Sequence, residues 1–374
     1  MRIAHVSDCY LPRTGGIETQ VRALAMHQAD QGDHVRIVTA TPGHDGVFAG
    51  DDVVDGLDVH RVAAKLPFEL PVHPRTKRSV AAILKAHPVD VVHVHAGVVS
   101  PFAWGAIRAA VELQVPTLIT VHSVWGGLAS PSFSLSDRLL RWSDRGLRVS
   151  AVSAVAAQRV AEAVPGLGEV LVVPNGIDVD DWRVIANLRP PDTLRIVSVM
   201  RMAPRKRTMP LARVLEVVIR TLEPGIRARA VLVGDGPERS GAERWVRSRG
   251  LSDRITFTGR LPRQGILDVF ADSDVYVQPS VKESFGIAAL EARTAGLPVV
   301  IRSQTGSTEF IHEGIEGLVA NTDGGLASAI VRLGRDPDLL NQITLHNRMS
   351  APDQAWPNVL GIVRAAYEAA GATG

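Results

Sequence analysis

The feature that most constrains this chain is a rhythm that runs through it twice: short β-branched runs separated by stretches with helical spacing. The runs fall at 3–7, 35–40, 57–62, 89–95, 117–122 and 149–153 in the first half, and at 194–200, 228–233, 255–258, 275–278 and 298–301 in the second. Between them the spacing predicts helices over 17–31, 75–86, 101–113, 154–163, 207–222, 239–249, 285–295 and 325–333. Strands that alternate with helices must run parallel and be covered on both faces, because each crossover lays a helix against the sheet. The expected fold class is therefore α/β, with two parallel-sheet domains. The rhythm breaks over 174–191, a stretch that ends in Pro190-Pro191, and restarts at Leu194. A boundary there gives domains 1–180 and 181–355. The helical stripe Val359, Leu360, Val363, Ala366 and Tyr367 belongs to a C-terminal helix within 356–374. That helix is assigned to the first domain, the alternative being that it closes the second.

Composition narrows the function classes. A length of 374 residues suits two domains, each large enough to bury a core. The single cysteine, Cys9, precludes an internal disulfide and suits a reducing compartment. Met1 to Ser7 enters a strand at once, with no signal-peptide core, and no apolar run reaches membrane-spanning length, so a cytoplasmic location is expected. With 41 basic against 39 acidic side chains the chain lacks the strong positive charge of a dedicated nucleic-acid binder, and no nucleic-acid partner is expected. Residues 1–180 carry 16 basic and 18 acidic groups and 181–374 carry 25 and 21, which makes the second half the better host for an anion.

Ligands of open α/β sheets collect beyond the carboxyl ends of the strands, so residues just after strands are the informative ones. Pro12-Arg13-Thr14-Gly15-Gly16-Ile17-Glu18 follows the first strand and opens a helix. Gly15 and Gly16 would let backbone amides approach an anionic oxygen at the helix N-terminus; a tight strand-to-helix turn explains them equally well. The chain has neither Gly-x-Gly-x-x-Gly nor a Walker loop, which removes dinucleotide dehydrogenases and P-loop ATPases. His93 and His95 are read as facing opposite sides of their strand, so no shared metal site is expected. His122 sits where a strand runs out, placed to hydrogen-bond a polar ligand as a neutral imidazole.

In the second half, Arg201-Met202-Ala203-Pro204-Arg205-Lys206-Arg207 puts four cations into seven residues directly after a strand. Such a turn suits a diphosphate, which Arg grips as a fork and Lys meets as a point charge. Gly234-Asp235-Gly236 and Gly259 end strands and say little alone. The most specific stretch is Lys282-Glu283-Ser284-Phe285-Gly286-Ile287-Ala288-Ala289-Leu290-Glu291. Its small residues are read as a helix start that puts Glu283 at the cap and Glu291 two turns inside, roughly 80° apart and about 12 Å along the axis. Carboxylates so spaced suit the vicinal hydroxyls of one elongated ligand better than close acid–base hydrolysis. Asp178/Asp180 and Asp272/Asp274 have metal-holding spacing, but turn and strand-capping roles suffice for both.

Together these residues resemble the retaining glycosyltransferases of family 4, which use nucleotide sugars on a GT-B fold of two facing Rossmann-like domains. The resemblance covers nearly the whole chain. It rests on Gly15-Gly16, Pro174-Asn175-Gly176-Ile177-Asp178, Arg201 with Lys206, Gly234-Asp235-Gly236, and the pair Glu283/Glu291 followed by Gly296-Leu297-Pro298-Val299. It implies that Arg201 and Lys206 hold the donor diphosphate and stabilise the leaving group, and that Glu291 binds the ribose hydroxyls. Glu283, with Ser284 and the amides of Phe285 and Gly286, would grip the transferred sugar. Gly15, Gly16 and Gly234 would line the donor site, and His122 would meet the sugar's outer hydroxyl.

No metal or cofactor is implied beyond a UDP- or GDP-linked donor, and catalysis would rest on positioning and charge stabilisation. The sequence departs from the family where Met200 and Arg207 replace usual glycines and Gly306-Ser307 replaces a common Gly-Gly. The acceptor would be a glycan or a lipid-linked envelope molecule, met through loops such as 124–136. Arg75, Lys77, Arg78 and Lys85, with Val80, Ile83 and Leu84, would form an amphipathic helix for anionic lipid at the inner face of the plasma membrane. The alternatives are a nucleotide-sugar 2-epimerase and an inactive sugar-nucleotide sensor.

Overall fold

A computed structural model describes residues 1–13, 15–43, 48–64, 73–97, 100–123, 147–190 and 192–373. The acceptor loops expected over 124–136 lie outside these residues. The chain forms two compact units, Met1–Gly176 with Trp356–Gly374, and Ile177–Ala355. The division therefore falls at Gly176/Ile177, four residues before the boundary drawn from the break in rhythm.

The first unit is built on β1 (Arg2–Ser7), β2 (His34–Thr39), β3 (Ala49–Val54), β4 (Leu57–Val62), β5 (Val91–Ala96), β6 (Thr117–Val121), β7 (Arg148–Ala151) and β8 (Val170–Val172). They form one sheet in the order β3-β4-β2-β1-β5-β6-β7-β8, parallel except where β3 pairs antiparallel with β4. β3 has no counterpart in the β-branched runs. It is a largely exposed edge strand bearing Asp51 and Asp52, joined to β4 by Asp55-Gly56, both with positive φ, as a two-residue hairpin requires.

Side chains alternate along each strand, so the sheet has two cores. Val92, Val94, Ile119 and Val121 pack beneath the helices Thr76–Ala86, Pro101–Glu112 and Ala154–Ala163. Ile3, Ile37, Val91 and Leu118 pack on the other face with the helices Gly16–Asp30 and Trp356–Ala369. The turn before the unit's first exit is pinned by Gln20, whose amide accepts from the Gly176 nitrogen at 3.0 Å and donates to its carbonyl at 3.1 Å.

The second unit comprises β9 (Thr193–Val199), β10 (Arg227–Val233), β11 (Ile255–Gly259), β12 (Val275–Gln278), β13 (Val299–Arg302) and β14 (Gly317–Ala320). All neighbours are parallel, in the order β11-β10-β9-β12-β13-β14. β14, the helix Pro337–Met349 and, in the first unit, β8 are absent from the sequence-based assignment, although the helix buries Leu340, Ile343 and Asn347 at helical spacing. Arg195 explains Asp272 and Asp274: its guanidinium donates to Asp272 at 2.7 Å and to Asp274 at 2.9 Å. That carboxylate spacing serves a structural ion-pair fork.

Two expectations are corrected by burial and helix geometry. Val80 and Leu84 are 0% and 4% exposed within the core, so the helix Thr76–Ala86 presents a basic face without the apolar one proposed for lipid. The helix after β12 runs Ile287–Thr294, not from 285, because Gly286 holds a left-handed φ of 97° at its N-cap. Glu283 therefore lies in the loop before the helix and Glu291 only one turn inside it.

Candidate active site

In the second unit the strand order reverses between β9 and β12, the switch point beside which open sheets hold their ligands. The loop after β9 carries Arg201 and Lys206, and the loop after β12 carries Glu283. At this point Lys206 Nζ donates to Glu283 Oε2 at 2.5 Å, with side chains 23% and 12% exposed. Arg201 is exposed, and its side chain makes no hydrogen bond or ion pair among the described residues. Arg207, at the position of a usual family glycine, has a left-handed φ of 63° and donates to Asp323 at 2.6 Å.

The loop after β10 sets the loop that bears Arg201. Met202 nitrogen donates to Asp235 oxygen and Glu238 nitrogen to Met202 oxygen, both at 2.9 Å. A Cβ on Gly234 would stand 1.9 Å from the Met200 carbonyl oxygen, so only glycine permits this approach. Gly234 thus has a backbone-packing role next to Arg201.

Glu283 to Gly286 are held from two sides. Gly306 nitrogen donates to the Glu283 carbonyl at 2.9 Å, and Ser307 Oγ donates to the Phe285 carbonyl at 2.8 Å. Gln278, at the end of β12, donates to Ser307 Oγ at 2.8 Å. The serine at 307 is therefore a buried clamp on the loop. Ser284 is half-buried between Glu283 and the buried Phe285. Among the described residues the amide N–H groups of Phe285 and Gly286 have no acceptor. Adjacent open amides at a helix N-terminus are suited to an anionic or hydroxyl oxygen.

Glu283 and Glu291 both bear on Tyr276. Burial, then the charges of Glu291 and Glu283, push the Tyr276 phenol well above its ordinary range, and its hydroxyl donates to the Val199 carbonyl at 3.3 Å. Burial pushes Glu291 up to about 8, opposed by Arg263. The site therefore combines an ion-paired lysine and carboxylate, two open amides and a carboxyl group whose burial raises it to about 8. Tyr276 and Gln278, both on β12, carry no motif and escaped the sequence-based reading.

In the first unit, Gly15 is the N-cap of the helix Gly16–Asp30 and both glycines are exposed. The buried carboxylate of Glu18 folds over them: a Cβ on Gly15 would stand 2.5 Å from its Oε2. His122 follows β6, where its Nε2 lies 3.0 Å from His95 Nδ1, and burial lowers it to about 4. His93 and His95 do not face opposite sides. Residues two apart on a strand share a face, and their ring centroids lie 4.1 Å apart.

His5, level with His93 in the register, joins them. Ligand atoms of His5, His93 and His95 lie within 4.8 Å of one another. Every ring nitrogen of these three is engaged by a described side chain, with His5 Nδ1 and His95 Nε2 aimed at each other at 2.9 Å. Nitrogens that share protons in this way do not converge on one point as tetrahedral ligands do.

The profile described as Glycosyltransferase Family 4 matches residues 14–181, and that described as Glycosyl transferases group 1 matches residues 181–348. The chain belongs to the family 4, group 1 glycosyltransferases. Its two parallel-sheet units are those of the GT-B fold. It is 27% identical over 380 residues to a phosphatidylinositol N-acetylglucosaminyltransferase component of Arabidopsis thaliana, covering 99% of this chain and 82% of that one. It is 26% identical to the GDP-mannose-dependent alpha-mannosyltransferase of Mycolicibacterium smegmatis, covering 99% and 97%. Anabaena HepE, solved in complex with UDP and glucose, superposes over the full length of both chains with a TM-score of 0.74 at 17% identity. Among the described residues of this glycosyltransferase, no helix is long and apolar enough to cross a membrane.

Proposed function

We propose that this glycosyltransferase moves a hexose, with retention of anomeric configuration and without a metal ion, from a UDP- or GDP-linked sugar to a glycan or lipid-linked envelope acceptor. The observation that carries the proposal is the Lys206–Glu283 pair at the strand switch point, beside the open amides of Phe285 and Gly286. A donor diphosphate would draw Lys206 away from Glu283 and add Arg201, so that negative charge on the departing phosphate is met as it develops. Glu283 would then be released to accept from sugar hydroxyls, with the two amides donating beside it. Glu291 would accept from the ribose diol. The resemblance assigns Gly15 and Gly16 to the donor phosphate and His122 to an outer sugar hydroxyl.

The step would be a same-face attack in which the leaving phosphate takes the acceptor's proton, a route that demands no strong protein nucleophile. The Mycolicibacterium relative is named for GDP-mannose and the Arabidopsis one for phosphatidylinositol, which supports a nucleotide-sugar donor and a lipid-linked acceptor. Exposed Arg75, Arg78 and Lys85 support a peripheral electrostatic contact with anionic lipid at the inner face of the plasma membrane.

Binding of UDP, GDP, ADP and their sugars, followed by donor turnover and NMR of the product, tests the proposal. One nucleotide should bind, and its sugar conjugate should be hydrolysed slowly or transferred with the donor's anomeric configuration. Inversion at C2 would favour an epimerase, and tight binding with no turnover an inactive sensor.

A further inference from the structure

Gly286 leaves one peptide direction open that its neighbours close. Glycine takes either sign of φ, so the unit joining Phe285 to Gly286 can present either its N–H or its carbonyl on a given side. In this chain the φ of Gly286 is 97° and the Phe285 carbonyl accepts from Ser307 Oγ at 2.8 Å. The peptide unit is planar and trans, so the Gly286 N–H points away from Ser307. Gly286 is buried, and this N–H has no acceptor among the described residues. Buried amides without a partner are rare, and such a donor is suited to a ligand oxygen.

Two buried side chains hold that direction. Ser307 lies on the turn Gly306–Glu309 after β13 and Gln278 ends β12, 0% and 6% exposed. Gln278 Nε2 donates to Ser307 Oγ at 2.8 Å, and the Phe285 carbonyl, also at 2.8 Å, can only accept. Both distances are those of full hydrogen bonds, so the hydroxyl proton lies on the carbonyl. The turn is itself fixed: the Ser307 carbonyl accepts from Ile311 nitrogen at 3.1 Å, and Gly306 nitrogen donates to the Glu283 carbonyl at 2.9 Å. If the Phe285–Gly286 unit flipped, its N–H would face Ser307 and the serine proton would lose its acceptor. A bond to the carbonyl also polarises the amide and makes its N–H a stronger donor. Ser307 stands where the family commonly has glycine, which would supply neither effect.

We propose that Ser307 and Gln278 are positioning residues: Gln278 turns the Ser307 hydroxyl onto the Phe285 carbonyl, and that bond keeps the Gly286 N–H, not a carbonyl, facing the transferred sugar. The assignment to the sugar rests on the reading that the amides of Phe285 and Gly286 meet it; the peptide direction does not.

NMR on the full chain without ligand tests the direction, because a hydrogen bond to the carbonyl moves the Phe285 carbonyl carbon and the Gly286 amide nitrogen downfield. Both resonances should move upfield in Ser307→Ala, less so in Gln278→Met, which keeps the hydroxyl and removes its donor, and return in Ser307→Thr. In calorimetry the gain in affinity of GDP-mannose over GDP, or of UDP-glucose over UDP, should fall about tenfold in Ser307→Ala, with nucleotide affinity unchanged, and recover in Ser307→Thr. In the wild type, exchange of the Gly286 amide should be slowed by the sugar nucleotide and not by the nucleotide alone.

Resonances unmoved in Ser307→Ala, or an unchanged sugar gain in that variant, overturn the proposal. If Ser307→Ala does not fold, Gln278→Met and the wild-type exchange decide. If the resonances move as expected but no nucleotide binds, or the nucleotide alone slows Gly286 equally, the reading of the amides as sugar contacts fails and the hold on the peptide direction stands.

Discussion

Lys206 Nζ lies 2.5 Å from Glu283 Oε2, so the groups assigned separately to diphosphate and sugar are bonded to each other. A diphosphate must compete with Glu283 for the ammonium. Lys206→Ala is expected to weaken UDP or GDP binding by about 1–3 kcal/mol, the range for a charged hydrogen bond. Glu283→Ala should leave nucleotide affinity unchanged or improved, because it frees Lys206, while donor turnover falls. Calorimetry with the nucleotide alone, beside turnover of its sugar, separates the two; equal losses of nucleotide affinity in both variants would falsify this division of labour.

Glu291 makes a pH prediction. Its ordinary value of 4.5 is raised to about 8 by burial, so the folded chain holds a proton that the unfolded chain gives up. Stability from this group is therefore full below pH 4.5 and declines as pH rises toward 8. Glu291→Gln, neutral throughout, should raise Tm by roughly 2–6 °C at pH 9 and change it little at pH 5. In the wild type, GDP-mannose or UDP-glucose affinity should rise with pH up to about 8 as the ribose diol selects the carboxylate, with proton release on binding. A flat profile in calorimetry across buffers would remove Glu291 from the ribose.

Gly286 tolerates no side chain. Its φ is 97°, and a Cβ would stand 2.1 Å from Ser307 Oγ. Gly286→Ala is expected to destabilise the second unit by about 2–4 kcal/mol, combining backbone strain with loss of the clamp. Ser307→Ala, which strands the Phe285 carbonyl and the Gln278 amide, should cost about 1–3 kcal/mol. Urea unfolding reads both; wild-type midpoints would show that the loop can rearrange.

The basic face of the helix Thr76–Ala86 should act by charge alone, because Val80 and Leu84 are in the core and Lys77 is paired with Glu112. Binding to vesicles rich in phosphatidylserine is expected to be weak, about 1 kcal/mol per basic residue, and to disappear in high salt. Reversing Arg75, Arg78 and Lys85 to Glu should abolish flotation. Flotation that persists in high salt would contradict a purely ionic contact.

Metal independence is testable directly. Donor turnover should survive dialysis against a chelator, since Lys206 and Arg201 are assigned the charge compensation that a divalent ion would otherwise supply. Loss of activity restored by magnesium or manganese would overturn that assignment.

The alternation of β-branched and helical segments was enough to read eleven of the fourteen described strands, because that pattern is local and those strands carry their own burial signal. The clustering of functional residues after β9 and β12 was legible for the same reason. The edge strand β3 was not, since an exposed acidic strand has no apolar signal, although Asp55-Gly56 marks its hairpin. The common face of His93 and His95 follows from their two-residue spacing alone and was misassigned. His5, 88 positions before His93, joined that face only through parallel register between β1 and β5.

By itself the sequence determined which residue types follow which strands: a basic turn after one, a carboxylate pair after another, and a histidine at the end of a third. Those are properties of neighbours along the chain. Only the tertiary structure decided that Lys206 bonds Glu283 across 77 positions, that burial raises Glu291 to about 8, and that His5 joins His93 and His95 on one face. Bonding partners and solvent exclusion depend on which strands lie side by side, and that adjacency is a property of the folded chain.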